Sequence, residues 1–293
     1  MDAVLLARIQ FAITVGFHFI FPALTIGLAW MIVWMKGVQV LTGSERYRVM
    51  ALFWTKLFAI SFAVGVATGL VMALQFGTNW AAYSRFVGDV FGGPLAAEGM
   101  FAFFLEASFL AVLLFGDKRF SPKVTFFAAL MVALGATFSA FWILVTNSWM
   151  QTPAGFEIMD GRAVLTDFWA AVFNPSMIQR FSHTMNATLM TGAFFVVAVS
   201  SWFLMKKRHG EVAMSSLRLG LILALITSVL QFGFGHAHAI QVAQTQPAKM
   251  AAFEGLFETT SRAGLSVFGI PDAENETVHQ QCARSPGLQP REG

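Results

Sequence analysis

The sequence predicts an all-α, polytopic bundle of six transmembrane helices with its N-terminus outside, on the periplasmic side. Of the 293 residues, 56% are apolar and only 12% are charged, whereas a soluble domain carries about 25% charged residues. Six apolar stretches reach the length of about 20 residues that a helix needs to cross a bilayer. Basic residues concentrate in alternate connecting loops, which predicts the direction of each helix.

The composition excludes several other classes of protein. A soluble chain of this size could not bury 32 Phe and 8 Trp side chains in one aqueous core. Cys282 is the only cysteine, which excludes a disulfide scaffold. The net charge of +3 is small and scattered along the chain, so no nucleic acid is expected as a partner.

Each predicted span is a long segment with almost no charge. The spans comprise residues 9–35, 51–75, 95–115, 124–148, 181–205 and 217–240. Together they contain four charged side chains, Lys56, Glu98, Glu106 and Arg218. Arg218 is near a helix end, where a long basic side chain can reach the membrane interface. The other three require a different explanation.

The loops after the first, third and fifth spans are rich in basic residues. They contain Lys36, Arg46 and Arg48, then Lys118, Arg119 and Lys123, then Lys206, Lys207 and Arg208. The intervening loops are poorer, with Arg85 in one and Arg162 and Arg180 in the other. Because basic loops stay on the cytoplasmic side, this bias predicts that the first, third and fifth spans run from outside to inside.

Titratable side chains inside a membrane are costly and usually functional. At about 1.5 Å per residue, His18 lies about 13 Å from the outer end of its span, and Glu98 and His183 are shallower. Glu106 lies about 16 Å deep and Lys56 about 8 Å from the inner face. The sequence therefore predicts a cluster in the outer half of the membrane, with Glu106 and Lys56 on the way to it from inside.

This pattern has a chemical interpretation and several simpler ones. A neutral imidazole or a carboxylate can ligate haem iron, and a staggered series of Lys and Glu side chains could carry protons towards it. Each histidine could instead bond a neighbouring helix, and the two glutamates, which would share one broad α-helical face, could be neutral packing groups. Lys56 could extend to the interface. His236 and His238 are expected to be solvated at the outer end of the sixth span.

Two other functions remain open at this stage. One is a haem-free transporter or proton channel that uses Glu98, Glu106 and Lys56. Broken helices are typical of transporters, and no predicted span is interrupted, with Pro22 as the only interior proline. The other is a b-haem membrane anchor subunit, which would need facing pairs of histidines.

Long phrases of the sequence carry a family resemblance. They are RIQFAITVGFHFIFPALTIG around His18, FWTKLFAISFAVGVATGLVMALQFGTNW from Phe53, GDVFGGPLAAEGMFAFFLEASF around both glutamates, FSHT at His183 and QPAKMAAFEG at Lys249. With these phrases the chain resembles the haem-bearing subunit I of cytochrome bd-type quinol oxidases. The resemblance implies quinol oxidation and dioxygen reduction to water, with a low-spin haem b, a high-spin haem b and a haem d. It also implies a subunit II, small single-helix subunits and the bacterial inner membrane.

The resemblance assigns roles to individual residues. His18 matches an axial ligand of a high-spin haem, His183 matches a ligand of the low-spin haem b, and Glu98 matches the carboxylate at the high-spin pair. Positions on the proton path are matched by Glu106, Lys56 and Ser139. Lys249 and Glu254 match a pair that takes part in quinol oxidation, although by themselves they would be interpreted as solvated charges on an interfacial helix.

The resemblance also divides the chain. Residues 1–240 are expected to form the haem-binding helices, residues 241–277 part of a periplasmic quinol-binding loop, and residues 278–293 a divergent, disordered polar tail. The family's subunit I has more helices than the six predicted here. It uses the missing part to supply a methionine to the low-spin haem and a further glutamate. We therefore expect a truncated chain that is not a competent oxidase alone.

Overall fold

The computed structural model describes residues 2–258 and 266–284, and within the second range side chains are described for residues 268–279. Among these residues, six helices are long and apolar enough to cross a membrane, which confirms the predicted helix bundle. The helices are α1 (Ala3–Thr42), α2 (Glu45–Gly77), α3 (Ala81–Ala97), α4 (Phe104–Phe115), α5 (Pro122–Trp149), α6 (Phe168–Val172), α7 (Met177–Met205), α8 (Gly210–Thr245) and α9 (Pro247–Glu254). The chain forms two compact units, residues 1–235 and residues 236–293.

The third span differs from the expectation. The helix begins at Ala81, and between α3 and α4 it passes through a π-helical segment at Glu98–Phe103. The polar residues Arg85 and Asp89 had masked the start of the helix by lowering the local hydropathy. Pro94 also lies inside this helix, so the expectation that Pro22 is the only interior proline is wrong. The helix itself continues from Ala81 to Phe115.

The ends of the helices follow local signals. Asp2 begins α1, where its carboxylate accepts a hydrogen bond from the backbone N–H of Val4 at 3.2 Å. The same helix ends at Gly43, whose φ of 66° suits glycine and whose N–H donates to the carbonyl of Gln39. Pro122 occupies the first turn of α5, where its missing N–H removes no intrahelical bond.

The first helix packs unevenly along its length. Its buried residues begin at Ala23 and extend to Gln39. Towards the N-terminus, Phe17 and Phe19 are 52% and 59% exposed. The principal core therefore surrounds the second half of α1, and it includes Leu28, Met31, Ile32, Met35, Trp54, Phe58, Leu113 and Val132. The half of α1 that carries His18 has large apolar side chains of its own, but they are not buried.

The backbones of α1 and α7 touch where two glycines meet. A Cβ atom added to Gly192 would lie 2.7 Å from Cα of Gly27, and a Cβ on Gly27 would collide with the carbonyl oxygen of Thr188. Real Cβ atoms do not approach other heavy atoms so closely. The crossing therefore requires glycine at both positions, as is common where membrane helices pack backbone to backbone.

A network of charged side chains joins α1, α2 and the loop before α5. The side chain of Lys36 is fully buried, and its Nζ lies 3.1 Å from Oδ1 of Asp117. Arg48 contacts the other oxygen of Asp117 and also pairs with Glu45 at 2.5 Å. Burial raises the pKa of Asp117, but hydrogen bonds and charges from Lys36 and Arg48 lower it by more, so the pKa lies below its ordinary value.

Two antiparallel hairpins lie outside the helices. The first pairs β1 (Phe156–Met159) with β2 (Arg162–Leu165) across Asp160 and Gly161, both with positive φ, as a tight hairpin turn requires. The second pairs β3 (Ser266–Asp272) with β4 (Thr277–Arg284). The tail from residue 278 was expected to be disordered, but its residues up to Arg284 belong to β4. Residues 285–293 lie outside the described residues.

Gly192→Ala should weaken the crossing of α1 and α7. The added methyl group must push the helices apart, and we expect the free energy of unfolding to fall by about 1–3 kcal/mol. Unfolding of the purified chain in detergent measures the change. Gly88→Ala is the matched control, because a Cβ there meets nothing within 4 Å. Equal stability of the two variants would contradict the packing argument.

Asp117→Asn should leave the buried Lys36 ammonium without its carboxylate. Breaking a buried ion pair costs about 3–5 kcal/mol, and we expect Lys36→Met in the same chain to restore most of that loss.

In the unmodified protein the pKa of Asp117 is lower in the folded state than in the unfolded state. The carboxylate therefore makes its full contribution to the free energy of unfolding above its ordinary pKa of about 3.9. That contribution is lost as the pH falls through the folded pKa, and unfolding measured against pH tests it.

Candidate functional site

His18 on α1 is held by a threonine on the neighbouring helix. Its Nδ1 lies 3.0 Å from Oγ1 of Thr68 on α2. The single hydroxyl proton of Thr68 is directed to backbone carbonyls of its own helix, at 2.9 Å from Val64 O and 3.0 Å from Gly65 O. With the hydroxyl proton on its own helix, a neutral imidazole donates from Nδ1 to the Thr68 oxygen and keeps its lone pair on Nε2. This neutral tautomer is the form that ligates a metal through Nε2.

The glycines of α2 make room for this arrangement. A Cβ on Gly69 would lie 3.2 Å from Cε1 of His18, and a Cβ on Gly65 would lie 3.2 Å from Cβ of Phe21. These distances are tighter than ordinary van der Waals contact. The two glycines are four residues apart and flank Thr68, so one short stretch of α2 both receives the imidazole and bonds it.

The structure brings Glu98 and Ser139 together, on neighbouring spans. Ser139 Oγ donates a hydrogen bond to Oε1 of Glu98 at 2.8 Å, and both side chains are half-buried. Glu98 is the first residue of the π-helical segment. Single turns of π-helix occur frequently at functional sites in proteins. The contact places a carboxylate and a hydroxyl from two spans within reach of proton exchange.

Glu106 is buried against the same stripe of α5. Only 6% of it is exposed, and a Cβ on Gly135 would lie 3.0 Å from its backbone nitrogen and 3.1 Å from its Cβ. Gly135 and Ser139 are one helical turn apart, a rise of about 6 Å. The two glutamates therefore follow one another along α5. The α-helical spacing assumed between them does not apply, because the π-helical segment lies between them.

His183 on α7 is held by an amide relay. The Nδ2 group of Asn186 donates to the carbonyl oxygen of Thr227 at 2.8 Å and to Oε1 of Gln231 at 2.5 Å. These bonds orient the Gln231 amide so that its Nε2 lies 2.9 Å from Nε2 of His183. An amide nitrogen only donates, so Nε2 of His183 carries a lone pair. That lone pair faces Gln231.

The structure does not bring Lys56 into this group. Its side chain is exposed on α2, between the buried Thr55 and the partly buried Leu57. Among the described residues, no hydrogen bond or ion pair of Lys56 with another side chain is seen. A route for protons through Lys56 would need other protein groups to cover that face of α2.

Lys249 and Glu254 lie on the short helix α9, in the second unit of the chain. Both side chains are partly exposed. The Nζ atom of Lys249 lies 5.7 Å from the ring centroid of Phe253, within the range of a cation–π contact. α9 ends at Gly255, whose φ of 63° terminates the helix.

The residues at His18 fit an axial haem ligand. The described residues contain no group of three or more His, Cys, Asp or Glu side chains that could hold a bare metal ion. A haem supplies its own equatorial ligands, so one correctly protonated imidazole among apolar side chains suffices. His18 meets this requirement next to the exposed Phe17 and Phe19. His183 has the required lone pair, but binding of iron to that lone pair requires Gln231 to move away.

The sequence did not reveal the residues that orient the imidazole rings of His18 and His183. Thr68, Gln231 and Asn186 are uncharged, and polar residues of this kind occur in many membrane helices. A signal in the sequence is the four-residue spacing of Gly65 and Gly69, which is typical of close helix packing but does not show which side chain packs there. Only the contacts across helices identify these three side chains.

Comparison with known proteins gives consistent relatives. The family described as cytochrome bd terminal oxidase subunit I matches residues 6–289, beyond the point at which the sequence was expected to diverge. Cytochrome bd-II ubiquinol oxidase subunit 1 of Escherichia coli (strain K12) is 43% identical over 278 residues, which cover 94% of this chain and 54% of the relative. Cytochrome bd ubiquinol oxidase subunit 1 of Bacillus subtilis (strain 168) is 43% identical, with coverage of 94% and 59%.

A solved structure shows the same fold. The bd oxidase from Geobacillus thermodenitrificans has a chain that superposes with a TM-score of 0.90 at 35% sequence identity. The match covers 96% of this chain and 65% of that chain. This chain thus spans between half and two thirds of the length of the relatives it matches.

Thr68→Val should change the protonation of the His18 ring. Valine has the shape of threonine but cannot accept the Nδ1 proton, so we expect a mixture of tautomers in place of one. Nitrogen-15 NMR of histidine-labelled protein, with His18→Ala for assignment, measures the ratio. Thr68→Ser keeps the hydroxyl and should keep the single tautomer. A single unchanged tautomer in Thr68→Val would contradict the assignment.

Proposed function

The chain belongs to the cytochrome bd terminal oxidase subunit I family, and we propose that it acts within a quinol:oxygen oxidoreductase. Such an enzyme oxidises membrane quinol and reduces dioxygen to water with protons taken from the cytoplasmic side. The observation that carries the proposal for this chain is the pairing of His18 with Thr68, because it suits the neutral imidazole tautomer that ligates iron through Nε2. The contact of Glu98 with Ser139 supports it by placing a carboxylate on α5.

The proposed cofactors are a low-spin haem b, a high-spin haem b and a haem d. When bound, these groups supply one-electron chemistry and the reduction of dioxygen. His18 would hold a high-spin haem iron, with Glu98 as the carboxylate of that site, and His183 would hold the low-spin haem b iron. Gln231 would then leave Nε2 of His183, and the bond from Asn186 to Thr227 O would remain to anchor α7 on α8.

The proton path we propose follows α5 outward. Glu106, buried on Gly135, would pass a proton towards Glu98, which is bonded to Ser139 one turn further along. A carboxylate and a hydroxyl at 2.8 Å can exchange a proton by reorientation of the hydroxyl group. Lys56 would deliver protons from the inner side along its exposed face of α2. A second subunit would cover that face and enclose the path.

We further propose that Lys249 and Glu254 on α9 bind quinol. A lysine ammonium can donate a hydrogen bond to one oxygen of a quinol head group, and a carboxylate can take up a proton from the other. The six apolar helices make the chain a multi-pass membrane protein. The proposed location is the bacterial inner membrane, with the N-terminus outside, and the proposed partners are subunit II and small single-helix subunits.

His18→Ala should remove the high-spin haem signals selectively. We propose to measure reduced-minus-oxidised absorption spectra of membranes that contain the chain with its partner subunit. The b-type band assigned to His183 should remain. His236→Ala is the control, because His236 is exposed on α8 and its loss should leave every band unchanged. Retention of all bands in His18→Ala would refute the ligand assignment.

Glu98→Gln should slow oxygen uptake more than Ser139→Ala does. The amide cannot carry a proton, whereas loss of the hydroxyl removes only one hydrogen bond of the carboxylate. We expect a decrease of about 100-fold or more for Glu98→Gln, in line with loss of a positioned proton-transfer group. Quinol-dependent oxygen consumption measures both variants, and haem content normalises the rates. Unchanged turnover in Glu98→Gln would contradict the proposed path.

A further inference from the structure

A cavity of about 130 Å³ lies between α2, α7 and the start of α8. Its walls are mostly apolar, with Val49, Phe53 and Phe203 among them, and Trp54 and Ser216 also contribute. Trp54 Nε1 donates to Ser216 Oγ at 3.0 Å, so the indole N–H has its acceptor. All of these residues lie in the first unit of the chain and are remote from the histidines and glutamates described above.

Ser200 is the unusual residue in this cavity. It is 1% exposed, it lines the cavity, and its hydroxyl has no hydrogen-bond partner among the described residues. A buried hydroxyl without a partner is costly. Water needs two to four polar partners to be held in such a place, and apolar walls offer few. A ligand that is mainly apolar but carries an acceptor, such as an ester carbonyl, fits better.

The cavity adjoins a strongly basic turn. Lys206, Lys207 and Arg208 connect α7 to α8, and all three side chains are exposed. His209 follows them and also lines the cavity. The nearby opposing charge on α8 is the exposed Glu211. Ser200 lies six residues before Lys206, a rise of about 9 Å along α7, which a lysine side chain can partly span.

We propose that this cavity binds an anionic phospholipid of the inner leaflet. One acyl chain would lie against Phe53 and Phe203, and its ester carbonyl would accept a hydrogen bond from the Ser200 hydroxyl. The phosphate group would bind the cations of the 206–208 turn, since basic pockets between membrane helices recognise anionic head groups. The site is independent of the redox chemistry and would anchor the ends of α2, α7 and α8 to the membrane surface.

Native mass spectrometry of the purified chain, titrated in detergent with phosphatidylglycerol, tests the proposal. We expect one tightly retained phosphatidylglycerol, and an affinity at least about tenfold lower after Lys206→Gln, Lys207→Gln and Arg208→Gln are combined. The matched control neutralises Lys118 and Arg119 in the loop before α5 and Lys123 in its first turn. These side chains are equally exposed, but no residue of this segment lines the cavity. That variant should retain the lipid.

Ser200→Leu fills the cavity and should abolish retention, whereas Ser200→Ala should weaken it without blocking the chain. Thermal unfolding of each variant without lipid separates a loss of binding from a loss of fold, and Ser200→Ala keeps the test available if Ser200→Leu does not fold. Equal retention of phosphatidylcholine, or competition by inorganic phosphate alone, would overturn the proposal of a phospholipid site. So would full retention in Ser200→Leu or in the triple variant of the turn.

Discussion

The structure depends on the requirement that a polar group in hydrocarbon must find its partner within the protein. Several bonds between helices meet it, including Trp30 to Thr137 at 3.1 Å and Asn186 to the carbonyl oxygen of Thr227 at 2.8 Å. The same requirement fixes His18. With the Thr68 proton on its own helix, a neutral ring satisfies Nδ1 by donating to the Thr68 oxygen, and the lone pair then lies on Nε2.

The packing of the bundle separates a densely packed part from a more open one. Around the second half of α1, large side chains are fully buried, and the glycine contact with α7 and the ion network of Asp117 lie in or beside this part. The first half of α1 is less enclosed, and it carries His18. A firmly packed base thus positions helices whose opposite ends present titratable groups among apolar side chains.

The helices were largely predictable from the sequence, because long runs of apolar residues have few alternatives to a membrane helix. The start of the third span was not, since Arg85 and Asp89 reduce the hydropathy of a segment that is nevertheless helical. The site was predictable in its titratable members, His18, Glu98 and Glu106, which are conspicuous in hydrocarbon. Their partners were not, because the importance of Thr68 or Gln231 depends on which helix lies opposite, and one sequence does not specify that pairing.

The π-helical segment Glu98–Phe103 allows the orientation of Glu98 around the helix to change without a change in that of Glu106. A π turn contains about one more residue than an α turn, and each residue of an α-helix rotates the chain by about 100°. Deleting one residue from this segment would restore a regular helix and would turn Glu98 away from Ser139, while Glu106 would stay on Gly135. The one additional residue in this segment therefore determines how the two carboxylates are oriented relative to one another around the helix.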